Sequence, residues 1–226
     1  MKRRYFITAI DTDAGKSLAT GLAARWLLGE GVSVITQKMA QTGCTRTSED
    51  IETHRRLMGI PLQEADLEGT TCPYIFPFPA SPRLAAELAG RQIDFFRIFE
   101  ATERLEETYE CVLVEGVGGL MVPLVDDQTV ADYLVCHPHP TVIVVHARLG
   151  SINHALLTLK ACSVRGIEVV GVIYNTGIAT DPLITDDTRA VLQQMLGRNF
   201  PEAAFLELPR WHEGDPLPDF SALFRV

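Results

Sequence analysis

The chain has 226 residues, 46% of them apolar, which suits a single α/β domain with a sizeable core and excludes a disordered chain. Its 20 Lys and Arg stand against 29 Asp and Glu, a formal charge of -9, which excludes the basic footprint of a general nucleic-acid binder. A polyanion site in such a chain must gather its positive charge locally.

Short β-branched runs alternate with helical patterns along the chain. Residues 5–10 read as a first strand, followed by Asp11-Thr12-Asp13-Ala14-Gly15-Lys16-Ser17 and a helix over 16–28. A second strand is predicted over 32–36 and a helix over 49–58. A long connection follows, punctuated by Pro61, Pro73, Pro77, Pro79 and Pro82, with helices over 81–88 and 94–108. Strands over 111–114, 141–145, 169–174 and 204–208 then alternate with helices over 152–164 and 185–196. Most strands are apolar at successive positions, the pattern of strands covered on both faces in a parallel sheet. With no repeat, linker or low-complexity segment, residues 1–226 read as one doubly wound, mainly parallel sheet flanked by helices.

The cysteines Cys44, Cys72, Cys111, Cys136 and Cys162 are odd in number and lack C-x-x-C spacing, which points to reduced thiols in a cytoplasm. Cys111 and Cys162 fall in strand and helix patterns, as small buried hydrophobes. The basic start, Met1-Lys2-Arg3-Arg4, leads into an apolar stretch that Asp11 interrupts too early for a secretory signal. No apolar run approaches a membrane span.

In doubly wound sheets ligands bind beyond the carboxyl ends of the strands. Gly15-Lys16-Ser17 lies there, at a strand–loop–helix junction, and reads as the end of a P-loop although Ile10 stands where the usual first glycine would be. Backbone N–H groups at the helix start attract phosphate, Lys16 would reach the β- and γ-phosphates, and the Ser17 hydroxyl would sit on Mg²⁺. Glu115, at the end of the third core strand, is aimed at the same edge as a candidate metal ligand. The glycines of Gly116-Val117-Gly118-Gly119 let a ligand approach the backbone. Taken alone, Lys38 reads as a surface lysine and Asp50 as a helix-stabilising acid; the P-loop is what singles them out. Gly150-Ser151-Ile152-Asn153 opens a helix with Ser151 in the N-cap role, either an anion site completed by Arg148 or a plain capped helix. The six histidines form no i, i+4 pair, and no Gly-x-Ser-x-Gly elbow or Cys/His pairing suggests a covalent nucleophile.

Together these segments, from about Tyr5 to Trp211, resemble the dethiobiotin synthetase family of P-loop NTPases. The resemblance rests on the Asp11–Ser17 loop, Pro73-Tyr74-Ile75-Phe76-Pro77-Phe78-Pro79-Ala80-Ser81-Pro82, Glu115-Gly116-Val117-Gly118-Gly119 and Leu149-Gly150-Ser151-Ile152-Asn153-His154-Ala155. It implies ring closure of 7,8-diaminononanoate with CO₂ to dethiobiotin, with ATP as co-substrate and Mg²⁺ as metal. It implies Lys16 and Lys38 as catalytic residues and Ser17, Asp50 and Glu115 as metal ligands. Nucleotide contacts would come from Asp13, Ala14, Gly15, Lys16, Ser17, Leu18, Asp50, Glu115, Gly116, Val117 and Gly118, with Asn175, Thr176, Leu208, Pro209 and Arg210 around the base. The substrate would meet Thr12, Lys38, Thr42, Pro79 and Gly118, and Gly150, Ser151 and Asn153 from the partner subunit of a homodimer. The sequence departs from the family at Ala9, usually Gly, and at Met39 and Arg83, often Pro and His. Three other readings stand beside this one: a partition-type ATPase, a related synthetase acting on another substrate, and a non-catalytic nucleotide-binding regulator. The first carries a lysine five places before the P-loop lysine, where this chain has Asp11.

Overall fold

The computed structural model of the protein describes residues 3–179 and 181–224, so Met1 and Lys2 of the basic start lie outside the described residues. The elements run β1 (Arg3–Ala9), α1 (Lys16–Gly29), β2 (Val34–Lys38), β3 (Gln41–Thr42), α2 (Glu49–Met58), α3 (Glu64–Leu67), β4 (Ile75–Phe76) and α4 (Pro82–Leu88). They continue with α5 (Phe95–Thr108), β5 (Cys111–Gly119), β6 (Pro123–Val125), β7 (Gln128–Thr129), α6 (Val130–Cys136), β8 (Thr141–His146), α7 (Ser151–Arg165), β9 (Val169–Asn175), α8 (Pro182–Asn199) and β10 (Ala204–Leu208). Six strands form one sheet in the order β10-β9-β8-β1-β5-β2. Every pairing in it is parallel, so all carboxyl ends share one edge.

Alternate residues of each strand enter opposite cores. Phe6, Ile35, Val112, Val114, Ile143, Val145 and Val172 pack with α5, α6, α7 and α8. Tyr5, Ile7, Val34, Leu113, Val142, Val144 and Ile173 pack with α1 and the end of α2. Both sets are apolar, which is why the strands read as continuous rather than alternating. The chain after β10 folds back over the second core: Phe224 meets Tyr5 edge to face at 5.0 Å, and Phe220 lies 6.4 Å from Trp26.

The sequence boundaries shift where local hydrogen bonding overrules apolarity. Val32 is apolar and was expected to open β2, but its N–H donates to Leu27 O after the positive φ of Gly31. It therefore closes the turn after α1, and β2 begins later and runs on to Lys38. Glu115 does not end β5; the strand continues through Gly119, with the register slipping between the Ile7–Glu115 and Ala9–Gly119 pairs. Helix α6 was not anticipated, although Thr129 and Asp132 form a capping box at its start. At α7, Ser151 is not the N-cap: Gly150 holds that position at φ 92°, and the Ser151 hydroxyl turns inward to His146 Nδ1 at 2.5 Å. Glycine takes this left-handed conformation without steric cost, leaving the following serine free to pack.

Beneath α2 lies a buried ion pair. Arg55 donates through Nε and Nη2 to the two oxygens of Asp66, both at 2.8 Å. Burial pushes the Asp66 carboxyl up, but the Arg55 guanidinium, the Gln63 N–H and the Thr71 hydroxyl together hold it below its ordinary 3.8. A carboxylate lowered in the folded state stabilises the fold above its unfolded value, and that contribution is lost as pH falls through the folded value. Asp66→Asn is expected to lower stability at pH 7 by about 3 kcal/mol, because it strands Arg55. Urea unfolding should show the wild-type and variant curves converging below pH 4; a gap independent of pH would contradict this account.

Candidate active site

The register sets the centre of the site. Lys38 of β2 and Glu115 of β5 are direct partners in the parallel ladder, so their side chains leave the same face. Lys38 Nζ lies 2.7 Å from Glu115 Oε1, 2.6 Å from Asp50 Oδ2 and 3.0 Å from Gly116 O. Glu115 has no exposed surface and Lys38 only 4%. Burial alone would push each toward neutrality. The charges of Glu115 and Asp50 outweigh this and raise Lys38, and the Lys38 charge with the His54 ring holds Glu115 far below the carboxylate range. Both groups therefore stay charged at neutral pH.

The P-loop closes over this pair. Gly15, at φ 95°, begins α1 and leaves no room for a side chain: a Cβ there would sit 2.3 Å from Asn175 Nδ2. Asn175, buried at the end of β9, donates to Ala14 O at 3.0 Å and accepts from Gly177 N–H at 3.1 Å, tying the P-loop to the next turn. Asp13 also has a positive φ, 58°, unusual for a non-glycine residue. Ser17 Oγ lies 2.7 Å from Asp50 Oδ1 and 3.1 Å from Glu115 Oε1. A hydroxyl and two carboxylates converging in this way are hard oxygen donors, and they fit a small divalent cation such as Mg²⁺. Among the described residues no three His, Cys, Asp or Glu side chains form a ready metal cluster, so the Ser17 hydroxyl is needed to complete this set.

A cavity of about 510 Å³ opens above these groups, lined by Thr12, Asp13, Gly15, Lys16, Ser17 and Leu18. Lys38, Thr42, Asp50, Glu115, Val117 and Gly118 complete the sequence-predicted part of its wall. Ala40, Gln41 and Val122 also line it and carried no recognisable signal in the sequence, whereas Ala80, Ser81 and Pro82, which line it too, close the proline-rich stretch that carries the resemblance. Pro79 stands just behind, against Gly43, whose ideal Cβ would lie 3.3 Å from the Pro79 Cβ. Gly116 contributes its carbonyl to Lys38 and Ala14 is fully buried. On the far side of the P-loop, Thr176 N–H donates to Leu208 O at 2.9 Å and Arg210 Nε to Gly177 O at 3.0 Å, which brings the Asn175–Thr176 and Leu208-Pro209-Arg210 segments together. Gly150, Ser151 and Asn153 do not line the cavity. Arg148 is drawn to Asp11 at 3.7 Å, and Asn153 is exposed.

One residue at the centre escaped sequence reading. His54, fully buried, sets Nε2 2.8 Å from Glu115 Oε2. Its one available signal was its place one helical turn after Asp50.

A family model described as an AAA domain matches residues 3–208. The ATP-dependent dethiobiotin synthetase BioD of Chlorobaculum tepidum is 53% identical over 203 residues, covering 89% of this chain and 85% of the relative. The BioD 2 enzyme of Pasteurella multocida is 46% identical over 205 residues, covering 91% and 96%. Among solved structures, a ParA family ATPase from Chlorobium tepidum superposes with a TM-score of 0.53 at 17% identity, covering 92% of this chain and 84% of that one. That likeness extends to the fold alone.

Lys16 is lowered to about 8, by burial first and by the Lys38 charge second. Its ammonium is present below that value and lost above it. Affinity for ADP should therefore be flat below pH 8 and fall as pH rises beyond it, as read by calorimetric titration between about pH 6.5 and 9.5. Constant affinity across that range would remove Lys16 from the phosphate site.

Proposed function

Since the chain belongs to the ATP-dependent dethiobiotin synthetase family, we propose that it closes the ring of dethiobiotin from 7,8-diaminononanoate and CO₂. The observation that carries this reading is the convergence of Lys16, Lys38, Ser17, Asp50 and Glu115 on one cavity. One amine of the substrate adds to CO₂ and sheds a proton, giving a carbamate. A carbamate oxygen attacks the γ-phosphorus of ATP and ADP leaves. The second amine then attacks the carbamate carbon, loses its proton and expels phosphate, leaving the cyclic urea.

Phosphoryl transfer of this kind needs positioning and charge rather than a covalent nucleophile. Lys16 and the N–H groups from Asp13 to Leu18 hold the phosphates. Lys38, rigid between two carboxylates, faces the carbamate and the phosphoryl group in flight. Ser17, Asp50 and Glu115 would hold Mg²⁺, which supplies further neutralisation of phosphate charge. Gly116, Val117, Asn175, Thr176, Leu208, Pro209 and Arg210 shape the nucleotide side, and Thr12, Thr42, Pro79 and Gly118 the diamine side. The chain works as one unit over residues 1–226, in the cytoplasm; the five free thiols support that compartment.

The substrate carboxylate is remote from its reacting nitrogens and needs a second anion site. The start of α7 offers one through Gly150 and Asn153, with Ser151 turned inward to His146, yet lies outside the cavity of its own chain. On the same helix and the turn before it, Leu149, Leu157 and Val164 are 84%, 62% and 71% exposed, an apolar stripe suited to a second copy. A two-fold dimer that completes each cavity with the partner's α7 accounts for both features.

Phosphate release should require ATP, Mg²⁺, bicarbonate and 7,8-diaminononanoate together. Release without the diamine, or none with it, would overturn the reaction. Lys16→Ala should lose at least about tenfold in ATP affinity, whereas Lys38→Ala should keep ATP affinity while losing about a thousandfold in kcat. Calorimetry and turnover on both variants separate these roles, and equal loss of ATP affinity would refute the division. Lys16→Ala and Asn153→Ala subunits should each be nearly inactive alone. Co-expressed in equal amounts they should recover about a quarter of wild-type activity, because half the dimers are mixed and each mixed dimer keeps one intact site. Mixed dimers that form without recovery would exclude the shared site.

A further inference from the structure

Behind Glu115 the structure holds a buried polar chain that reaches back to the Arg55–Asp66 ion pair. It runs Asp66–Arg55–Thr36–His54–Glu115. The spacing of the sequence builds it. Thr36 and Lys38 are two apart on β2 and leave one face of the sheet; Asp50 and His54 are four apart on α2 and share one side of the helix. These two ladders meet at Glu115: Lys38 and Asp50 on the cavity side, Thr36 and His54 on the buried side.

Arg55 Nη1 donates to Thr36 Oγ1 at 2.7 Å and Nη2 to Thr36 O at 3.2 Å. Thr36 Oγ1 also lies 3.0 Å from His54 Nδ1, so both ring nitrogens have a partner. The Glu115 carboxylate can only accept, so His54 Nε2 carries a proton and donates it to Oε2 at 2.8 Å. Oε2 is held from behind, while Oε1 is left to Ser17 at 3.1 Å and Lys38 at 2.7 Å.

We infer that His54 is a positioning residue for this reaction: its Nε2–H pins the Glu115 carboxylate in the rotation that presents Oε1 to the metal and phosphate side of the cavity. The inference rests on the reading of Glu115 as a metal ligand. A carboxylate free to turn about its side chain would spend only part of its time in that orientation. Hydrogen-bond partners standing behind a ligand in this way typically account for about ten- to a hundredfold in metal affinity.

The test is direct metal binding with Mn²⁺ as the probe, followed by electron paramagnetic resonance in the presence of ADP. His54→Leu removes the donor at similar volume and should raise the Mn²⁺ Kd about tenfold or more, with ADP affinity in the absence of metal unchanged. His54→Gln, which keeps an N–H in reach of Oε2, should recover much of the loss. Should His54→Leu fail to fold, Thr36→Val removes the hydroxyl that meets His54 Nδ1 and holds the ring against Glu115, and should weaken Mn²⁺ binding in the same direction. Glu115→Gln separates the two levels of the claim. If it binds Mn²⁺ as wild type does, Glu115 is not a ligand and the inference falls with that reading. If Glu115→Gln loses Mn²⁺ while the folded His54 or Thr36 variant keeps wild-type affinity, the metal reading stands and the role of His54 alone is overturned. Equal loss of Mn²⁺ and of metal-free ADP affinity would also overturn it, since that is what a merely structural role predicts.

Discussion

A carboxylate in the middle of a parallel sheet is unfavourable unless both its oxygens are paired, and Glu115 is paired on both. Lys38 and Ser17 meet Oε1, and His54 meets Oε2. The interaction ties four elements at one point: β5 and β2 through their register, α1 through Ser17, and α2 through Asp50 and His54. Each would leave an unpaired buried charge or polar group if it moved. The site is therefore rigid for the same reason that it is buried, and a rigid arrangement of charge is what phosphoryl transfer requires.

The backbone around this point is shaped to the same end. Met39 N–H donates to Glu115 O at 3.0 Å, a bond that a proline at this position could not make. It stitches the turn after β2 to β5 beside the Lys38–Glu115 pair. On the opposite side, Gly15 is held against Asn175, so the loop that cradles phosphate and the turn after β9 move together. The continuation of β5 through Gly119, with its slipped register against β1, carries the glycine-rich stretch over the P-loop strand. Its glycines make room for close neighbours: a Cβ on Gly116 would meet the Phe6 ring at 2.9 Å.

Two surfaces support the proposed dimer. The cavity wall carries Lys16 and Lys38 as its cations. The start of α7 has the exposed Asn153, and Leu149, Leu157 and Val164 form an exposed apolar stripe. A second copy would cover the apolar stripe and bring the polar groups to a cavity, two requirements met by one symmetric contact.

The sheet class and the edge where chemistry gathers are legible in the order of the residues. Continuous apolar strands demand cover on both faces, and Gly15-Lys16-Ser17 after the first of them marks the carboxyl edge. Local capping rules are equally written in the chain, as in the Thr129–Asp132 box, but the seven-residue helix it starts offers too few turns for an apolar period to stand out. Asp50 and Lys38 stand out only beside the P-loop, since neither residue type nor spacing distinguishes them from surface charges. Which groups share Glu115 is settled only in the folded chain. Register between β2 and β5 and the docking of α2 are long-range choices, and they alone bring Lys38 and His54 onto this carboxylate, with Asp50 behind Lys38 and Thr36 behind His54. A histidine in a helix carries no mark of the strand it will meet; burial against a specific partner, not its own neighbours, gives it a task.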